Sequence, residues 1–101
     1  MKVLIDDERN FMGMDIIVRN FNAAKAVLEA KIATVLFLDF DLGSNDPLQN
    51  GEVLLKWGVD NDLIPKRVHI ISMNPVGKKA MEYTLQDAGY KFDQSTVMWR
   101  K

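Results

Sequence analysis

Short apolar runs alternate along the chain with segments that have helical periodicity. The apolar run within Lys2 to Asp6 is continuous and bounded by polar residues, a pattern typical of a fully buried strand. Met14 to Arg19, Thr34 to Asp39, Arg67 to Ser72 and Thr96 to Trp99 predict further strands. Because Thr34 to Asp39 is the most apolar of these segments, we expect it at the centre of the sheet.

Three helices are predicted between these strands, each with an asparagine at its start. An asparagine side chain at the N-cap accepts a hydrogen bond from a backbone N–H group that the first helical turn leaves free. Apolar residues recur on one side of each segment, which indicates that this side packs against a sheet. The helices are expected from Asn22 to about Lys31, from Asn50 to about Asn61, and from Pro75, preceded by Asn74, to Gly89.

The order of these elements predicts the fold class. Strands that alternate with helices indicate an α/β protein with a doubly wound, mainly parallel sheet, since the crossover helices must cover the sheet faces. The link from Asp7 to Gly13 is shorter than the dozen or so residues of a usual parallel crossover, so we expect an extended loop there and no first helix. We expect five strands in one domain over residues 1–101, with no helix after the last strand.

Composition and charge narrow the classes of function. Thirteen basic and fourteen acidic side chains give a net charge of −1, so the overall balance favours no general attraction to nucleic acid or to anionic lipid. The absence of cysteine excludes disulfides, thiolate nucleophiles and zinc–thiolate sites. No segment approaches membrane-spanning length, and the amino terminus lacks a signal-peptide core. Together these features predict a cytoplasmic protein without membrane association.

Four carboxylates directly follow two of the predicted strands. Asp6 and Asp7 follow the first, and Asp39 and Asp41 follow the central one. The carboxyl ends of parallel strands meet at one edge of the sheet, where ligands of such folds bind. Carboxylates that lie within ~4 to 6 Å raise one another's pKa unless a cation lies among them, and Mg²⁺ or Mn²⁺ suits oxygen ligands at an open edge. These four residues are therefore predicted metal ligands. The alternative is that each aspartate only caps a turn and faces solvent.

A second candidate site follows the strand that ends at Ser72. A helix that begins at Pro75 presents free N–H groups and a positive dipole end beside Ser72 and Asn74, which favours a bound phosphate. A bound anion would also offset the unfavourable position of Lys78 in the first helical turn. Ser72, Asn74 and Lys78 are therefore predicted to bind phosphate. The alternative is that Asn74 is only an N-cap and that Lys78 is solvated.

Few residues are candidates for catalysis. His69 is the only histidine and lies inside a strand, where a structural role is expected. Without a second histidine or any cysteine, the usual nucleophilic dyads cannot form. The remaining possibilities are a catalytic site made of a carboxylate with a metal ion and one made of a carboxylate with a lysine. Asp39 and Lys78 are therefore the candidate catalytic residues.

Four motifs occur in order along the chain. They are Asp6-Asp7-Glu8-Arg9-Asn10, Leu38-Asp39-Phe40-Asp41-Leu42-Gly43, Asn50-Gly51 followed by Val53 to Trp57, and Ser72-Met73-Asn74-Pro75-Val76-Gly77. Together, over about residues 2 to 85, they resemble the cyclic-phosphate-processing receiver-like domains, which are relatives of response-regulator receivers. The resemblance implies a flavodoxin-like receiver fold that has lost its first helix, and handling of cyclic or terminal phosphates at the acidic pocket.

The chain departs from the family pattern at two positions. The family usually has Asp-His-Asp after the central strand and His-Ser before Asn-Pro, whereas Phe40 and Ile71 stand at the histidine positions here. A mechanism that needs histidine for acid–base work therefore has no agent. Two functions stay open. The first is metal-dependent binding or processing of a phosphate-bearing small molecule or nucleic-acid end, with weak phosphoesterase activity. The second is a pseudo-receiver that binds another protein.

Two further resemblances are incomplete. The segment around Asp39 and Asp41 is also similar to the first motif of haloacid-dehalogenase-type phosphatases, but Thr96 to Lys101 carries no carboxylate for their later metal motif. A phosphorylatable receiver would need a lysine after the last strand, and only Lys101 is available.

The predicted fold also suggests an association surface. With no helix after Trp99, part of one sheet face lacks its usual cover, and an exposed apolar patch commonly marks an interface. We therefore expect a homodimer or a protein partner on the sheet face near Trp99.

Overall fold

A six-stranded mixed sheet with three helices forms the fold. The computed structural model describes residues 1–101. The elements in chain order are β1 (Lys2–Ile5), β2 (Ile16–Val18), α1 (Phe21–Glu29), β3 (Val35–Leu38), α2 (Gly51–Asp60), β4 (Arg67–Ile70), α3 (Pro75–Asp87), β5 (Lys91–Asp93) and β6 (Met98–Arg100).

The sheet has a parallel part and an antiparallel part. The strand order is β2-β1-β3-β4-β6-β5, in which β2, β1, β3 and β4 run parallel. The last two strands form a hairpin, and β6 pairs antiparallel with β4. The prediction of a mainly parallel α/β sheet is confirmed at this level, but the prediction of five strands is wrong. The additional strand is Lys91–Asp93, which is too short and too polar to stand out from a turn in the sequence.

The loop between β1 and β2 contains no helix, as predicted. The helix starts also follow the prediction, with one correction. Asn50 and Asn74 are the N-caps of α2 and α3. The N-cap of α1 is Asn20 rather than Asn22, and its side chain accepts a hydrogen bond from the N–H of Ala23 at 2.9 Å. The helix begins earlier because Phe21, which follows Asn20, packs against the core.

All three helices pack on one face of the sheet. Side chains from β1, β3 and β4 that point to this face join residues of the three helices in one buried cluster. Helix α2 contacts both α1 and α3. Examples of this core are Ile5, Leu36 and Val68 from the strands and Leu54 and Met81 from the helices.

The opposite face carries no helix, and we call it the helix-free face. Leu4, Phe37 and His69 lie in register across it on three neighbouring strands. Phe11, from the loop between β1 and β2, approaches Phe37 edge-on with a ring-centroid distance of 6.2 Å. The loop therefore covers part of this face in place of the missing first helix.

Trp99 does not lie on the helix-free face. It pairs with Val68, whose side chain belongs to the core, so the indole packs from the helix side. Its ring centroid lies 5.4 Å from that of Phe92. The sheet face near Trp99, where we expected association, is therefore not the helix-free face. None of the helices is long and apolar enough to cross a membrane.

Candidate functional site

Three of the predicted carboxylates meet at the tips of β1 and β3. One oxygen each from Asp6, Asp7 and Asp39 lies within 4.8 Å of the others. Strands β1 and β3 pair in register with Ile5 opposite Leu38, so the residues that follow them emerge side by side. The prediction that distant segments bring their acidic tips together is confirmed for these three residues.

The cluster opens into a polar cavity of about 550 Å³. Asp6 and Asp39 are buried, whereas Asp7 is partly exposed. Asp41 lines the same cavity but lies outside the close group of three. Phe40 separates Asp39 from Asp41 in the sequence, and its side chain packs toward the core on the helix side of the sheet. The site is thus three close carboxylates with a fourth at the cavity wall.

Arg9 is a residue of the acidic cluster that sequence reasoning did not select as a site residue. Its guanidinium donates from Nε to Asp6 Oδ2 at 2.7 Å and from Nη2 to the backbone oxygen of Ile71 at 2.8 Å. The same Nη2 lies 3.5 Å from Asp39 Oδ1. An arginine three residues after the first aspartate was visible in the sequence, but its reach to the tips of two other strands was not. Arg9 therefore supplies a positive charge inside the acidic cluster.

The two buried carboxylates have pKa values displaced in opposite directions. Burial alone would raise the pKa of Asp6, but hydrogen bonds from the backbone N–H groups of Arg9 and Glu8 and from the guanidinium outweigh it, so this pKa is lowered. Burial, and then the nearby charge of Asp6, raise the pKa of Asp39 despite a hydrogen bond from the N–H of Phe40. Asp6 is thus held ionised, while Asp39 is the carboxyl of the pair that more readily carries a proton.

Arg19 holds the segment that carries Asp6 and Arg9. From the end of β2, its Nη1 donates to the backbone oxygens of Asp6, at 3.2 Å, and of Arg9, at 2.5 Å. Its Nη2 donates to the side chain of Asn10. Because these bonds fix the turn after β1, the loop that replaces the first helix is an ordered wall of the cavity.

Two glycines allow the helices to approach the central strand tip. A side chain on Gly51 would place its Cβ 2.1 Å from the backbone oxygen of Asp39, and one on Gly77 would place its Cβ 2.4 Å from the ring of Phe40. The N–H of Gly51 also donates to the backbone oxygen of Phe40 at 2.7 Å. The glycine in the Val76-Gly77 motif, which helix propensity alone does not explain, is therefore required by close packing at the site.

The predicted phosphate-binding residues do not line this cavity. Ser72 is buried and its hydroxyl oxygen accepts a hydrogen bond from the N–H of Asn74 at 3.1 Å. The side chain of Asn74 accepts from the N–H groups of Val76 and Gly77, so it acts as an N-cap. Lys78 is exposed on α3. The structure brings the acids together but leaves Ser72, Asn74 and Lys78 outside their cavity.

The donor atoms of the cluster fit a hard divalent cation. Mg²⁺ binds oxygen ligands at about 2.0 to 2.1 Å, so two ligands of one ion are at most about 4.2 Å apart. Three ligands of one octahedral ion include at least two adjacent pairs about 3.0 Å apart, so the oxygens of Asp6, Asp7 and Asp39, which lie within 4.8 Å of one another, would move closer by up to about 1.8 Å on binding. With no sulfur or imidazole ligand among them, the chemistry favours Mg²⁺ or Mn²⁺.

Fold and site together define a class of protein. A parallel core with order β2-β1-β3-β4, acidic residues at the tips of β1 and β3, and a helix starting after β4 are the features of a receiver-like domain. A family model described as "Cyclic-phosphate processing Receiver domain" matches residues 1–87. The chain belongs to this family. A comparison with curated proteins found no match.

Proposed function

We propose that residues 1–101 form one cytoplasmic receiver-like domain that binds Mg²⁺ or Mn²⁺ together with a phosphate-bearing ligand. The observation that carries this proposal is the convergence of Asp6, Asp7 and Asp39 to within 4.8 Å at an open cavity. These three residues would hold the ion, with Asp41 at the cavity wall. The bound ion would offset the charges of the carboxylates and of the ligand phosphate.

Arg9 is the proposed phosphate contact inside the cavity. Its planar guanidinium suits an oxyanion, and it already lies among the acids, where Lys78 does not reach. Ser72, Asn74 and Lys78 are proposed as contacts for a larger ligand that extends past the tip of β4. Such a ligand is a phosphate-bearing small molecule or a nucleic-acid end.

Asp39 is the proposed catalytic residue if the site turns its ligand over. No imidazole lines the cavity, and His69 lies on the helix-free face. As a ligand, Asp39 would hold the ion, which would polarise a phosphate oxygen and lower the pKa of a bound water. Hydrolysis of a cyclic phosphate would add water to phosphorus, break one ring P–O bond and leave a phosphate monoester and a hydroxyl.

Metal binding is tested by following backbone amide NMR shifts during titration with Mg²⁺ and Mn²⁺. The amides of Asp6, Asp7 and Asp39 should respond at millimolar metal or below, and Asp39→Asn should weaken the response at least tenfold. Asp87→Asn is the matched control, because it makes the same chemical change at an exposed site on α3. The absence of any response in the wild-type protein would refute the metal proposal.

Turnover is tested separately with cyclic nucleotides, RNA 2′,3′-cyclic ends and ADP-ribose derivatives. Product formation that needs Mg²⁺ or Mn²⁺ and disappears in Asp39→Asn, but not in Asp87→Asn, would support an enzyme. Binding without product would support a domain that senses the ligand.

A second candidate function is a pseudo-receiver that binds another protein. It is favoured by Phe40, whose ring packs against Gly77 where the family pattern has a histidine. An apolar patch near Trp99 gives it a surface, since Tyr83 is 63% exposed and Phe92 is 44% exposed. Sedimentation of the wild type and of Trp99→Ser tests self-association. A monomer at high concentration, with no change in the variant, would argue against a homodimer through this patch.

A further inference from the structure

Four cations lie in register across the helix-free face. Lys2 pairs with Val35, Val35 with Arg67, Arg67 with Arg100, and Arg100 with Lys91. Paired residues of neighbouring strands point to the same face and lie about 5 Å apart. All four cationic residues are exposed. We call Lys2, Arg67, Arg100 and Lys91 the basic row.

The register of this row places like charges opposite one another. Arg100 lies between Arg67 on β4 and Lys91 on β5, and like charges directly opposite destabilise a sheet. Asp93 offsets part of this repulsion through an ion pair with Arg100 at 3.1 Å. At the other end of the row, Asp15 accepts a hydrogen bond from the backbone N–H of Lys2. The remaining excess of positive charge is local, because the whole chain has a net charge of −1.

A row of apolar and aromatic side chains lies beside the basic row. Ile17, Leu4, Phe37 and His69 are in register two residues further along the parallel strands. The rings of Phe37 and His69 have centroids 5.4 Å apart, and both residues are partly exposed. Proteins bind single-stranded nucleic acid with cationic side chains that contact the phosphate backbone and with aromatic rings on which the bases stack.

We propose that the helix-free face binds single-stranded nucleic acid, with phosphates on the basic row and a base against Phe37 and His69. A second copy of this face is a poor occupant, because a symmetric dimer would bring the two basic rows together. An acidic protein segment would pair with the cations but would make no use of the partly exposed rings of Phe37 and His69. Single strands are preferred to duplexes, whose bases are not free to contact the rings.

The basic row lies at the opposite end of the strands from the acidic cavity, whereas Phe37 lies two residues before Asp39. Lys2 and Asp6 lie at opposite ends of β1, four residues apart, which is about 13 Å along a strand. The proposal therefore does not rest on metal binding by Asp39 or on phosphate binding by Arg9. Asp39→Asn should leave nucleic-acid affinity within about twofold of the wild type, so the two proposals can fail independently.

The test is fluorescence anisotropy with a labelled 12-nucleotide oligo-dT and oligo-U in 50 mM salt. The triple variant Arg67→Gln/Lys91→Gln/Arg100→Gln should bind at least tenfold more weakly than the wild type. The matched control is Lys25→Gln/Lys56→Gln/Lys79→Gln, which removes the same charge from the three helices and should bind within about twofold of the wild type. The slope of the logarithm of the binding constant against the logarithm of the salt concentration is about −0.7 per phosphate contact for a single strand. Loss of three contacts should therefore make this slope less negative by about 2.

A ring variant tests the stacking component. His69→Ala should weaken single-strand binding about fivefold, and a duplex of the same length should bind less well than either single strand. Fluorescence melting checks that each variant folds, and removal of the like charges should not lower its melting temperature. If a variant fails to fold, amide shifts of the wild-type protein with oligo-U decide the question and should fall on β4, β5 and β6.

Several results would overturn the proposal. They are no binding in 50 mM salt, equal weakening by both triple variants, and oligo-U shifts confined to other elements. Equal affinity for polyglutamate and oligo-U would indicate an acidic protein partner instead. A concentration-dependent dimer that the Arg67 triple variant abolishes would indicate a second copy.

Discussion

Replacing Arg9 by glutamine should destabilise the protein by removing the positive charge from the acidic cluster. The substitution removes a 2.7 Å bond to Asp6, a 2.8 Å bond to the backbone of Ile71 and a 3.5 Å contact with Asp39. Hydrogen bonds to charged groups contribute about 1.5 to 3 kcal/mol, and breaking a fully buried ion pair costs about 3 to 5 kcal/mol. The Arg9 side chain is 34% exposed, so solvent screening lowers this range. We expect a loss of about 2 kcal/mol at pH 7.

Urea denaturation measures this loss directly. With a urea slope of about 1 to 2 kcal/mol/M for a small domain, the midpoint should fall by about 1 to 2 M. Lys56→Gln is the control, because it removes an exposed ion pair with Glu52 at 2.9 Å and should change the free energy of unfolding by less than about 0.5 kcal/mol.

Two conditions should reduce the effect of Arg9→Gln. The first condition is low pH, because the pKa of Asp6 is lower in the folded protein than in the unfolded chain. The stability that Arg9 contributes through this carboxylate is therefore present above the ordinary aspartate pKa and is lost as the pH falls through the pKa of Asp6 in the folded protein. Mg²⁺ should also shrink the deficit, because the acidic cluster without the guanidinium charge should bind the ion more tightly than the wild type does, and tighter binding stabilises the folded variant more. A variant as stable as the wild type at pH 7, or a deficit that stays constant as the pH is lowered from 7 through the acid range, would refute the role of Arg9.

Three further substitutions test the surroundings of the site. Asp39→Asn should raise the free energy of unfolding at pH 7 without metal by roughly 1 to 3 kcal/mol. This is the size of the repulsion between two ionised carboxylates whose oxygens lie within 4.8 Å of each other. Because the pKa of Asp39 is raised in the folded protein, this gain should vanish in urea titrations below pH 3.8. Gly77→Ala should lower thermal stability by about 1 to 3 kcal/mol, since its Cβ would meet the ring of Phe40, and the double variant with Phe40→Ala should show less than the sum of the two single losses. Asn20→Ala should cost about 1 kcal/mol and Asn22→Ala much less in the same melts; the reverse order would contradict the N-cap at Asn20.

Much of the parallel half of the fold was predictable because its signals are local. Continuous apolar runs marked the buried strands, and asparagines at positions 50 and 74 marked two helix starts. The length of the Asp7 to Gly13 segment was enough to exclude a crossover helix. These features depend on neighbouring residues in the chain, so their physical causes can be seen without the tertiary structure.

The antiparallel half was predicted less well. Strand β5 has only three residues, and the hairpin depends on Val97, which adopts a left-handed backbone conformation with a φ of 57°. A valine disfavours that conformation, so the residue at position 97 did not mark the end of a hairpin turn. The side of the sheet on which Trp99 lies depends on this pairing, which the sequence did not show.

The sequence by itself determined which carboxylates end the parallel strands, because the end of a continuous apolar run is a local feature and crossover connections make the strands parallel. Only the tertiary structure decided that Asp41 stays at the cavity wall, that Lys78 faces solvent and that Arg9 reaches Asp39. Those outcomes depend on the directions of side chains that leave loops and helix ends, which are fixed by contacts between residues as far apart as Arg9 and Ile71. The basic row has the same origin, since Lys2, Arg67, Lys91 and Arg100 become neighbours only through strand pairing.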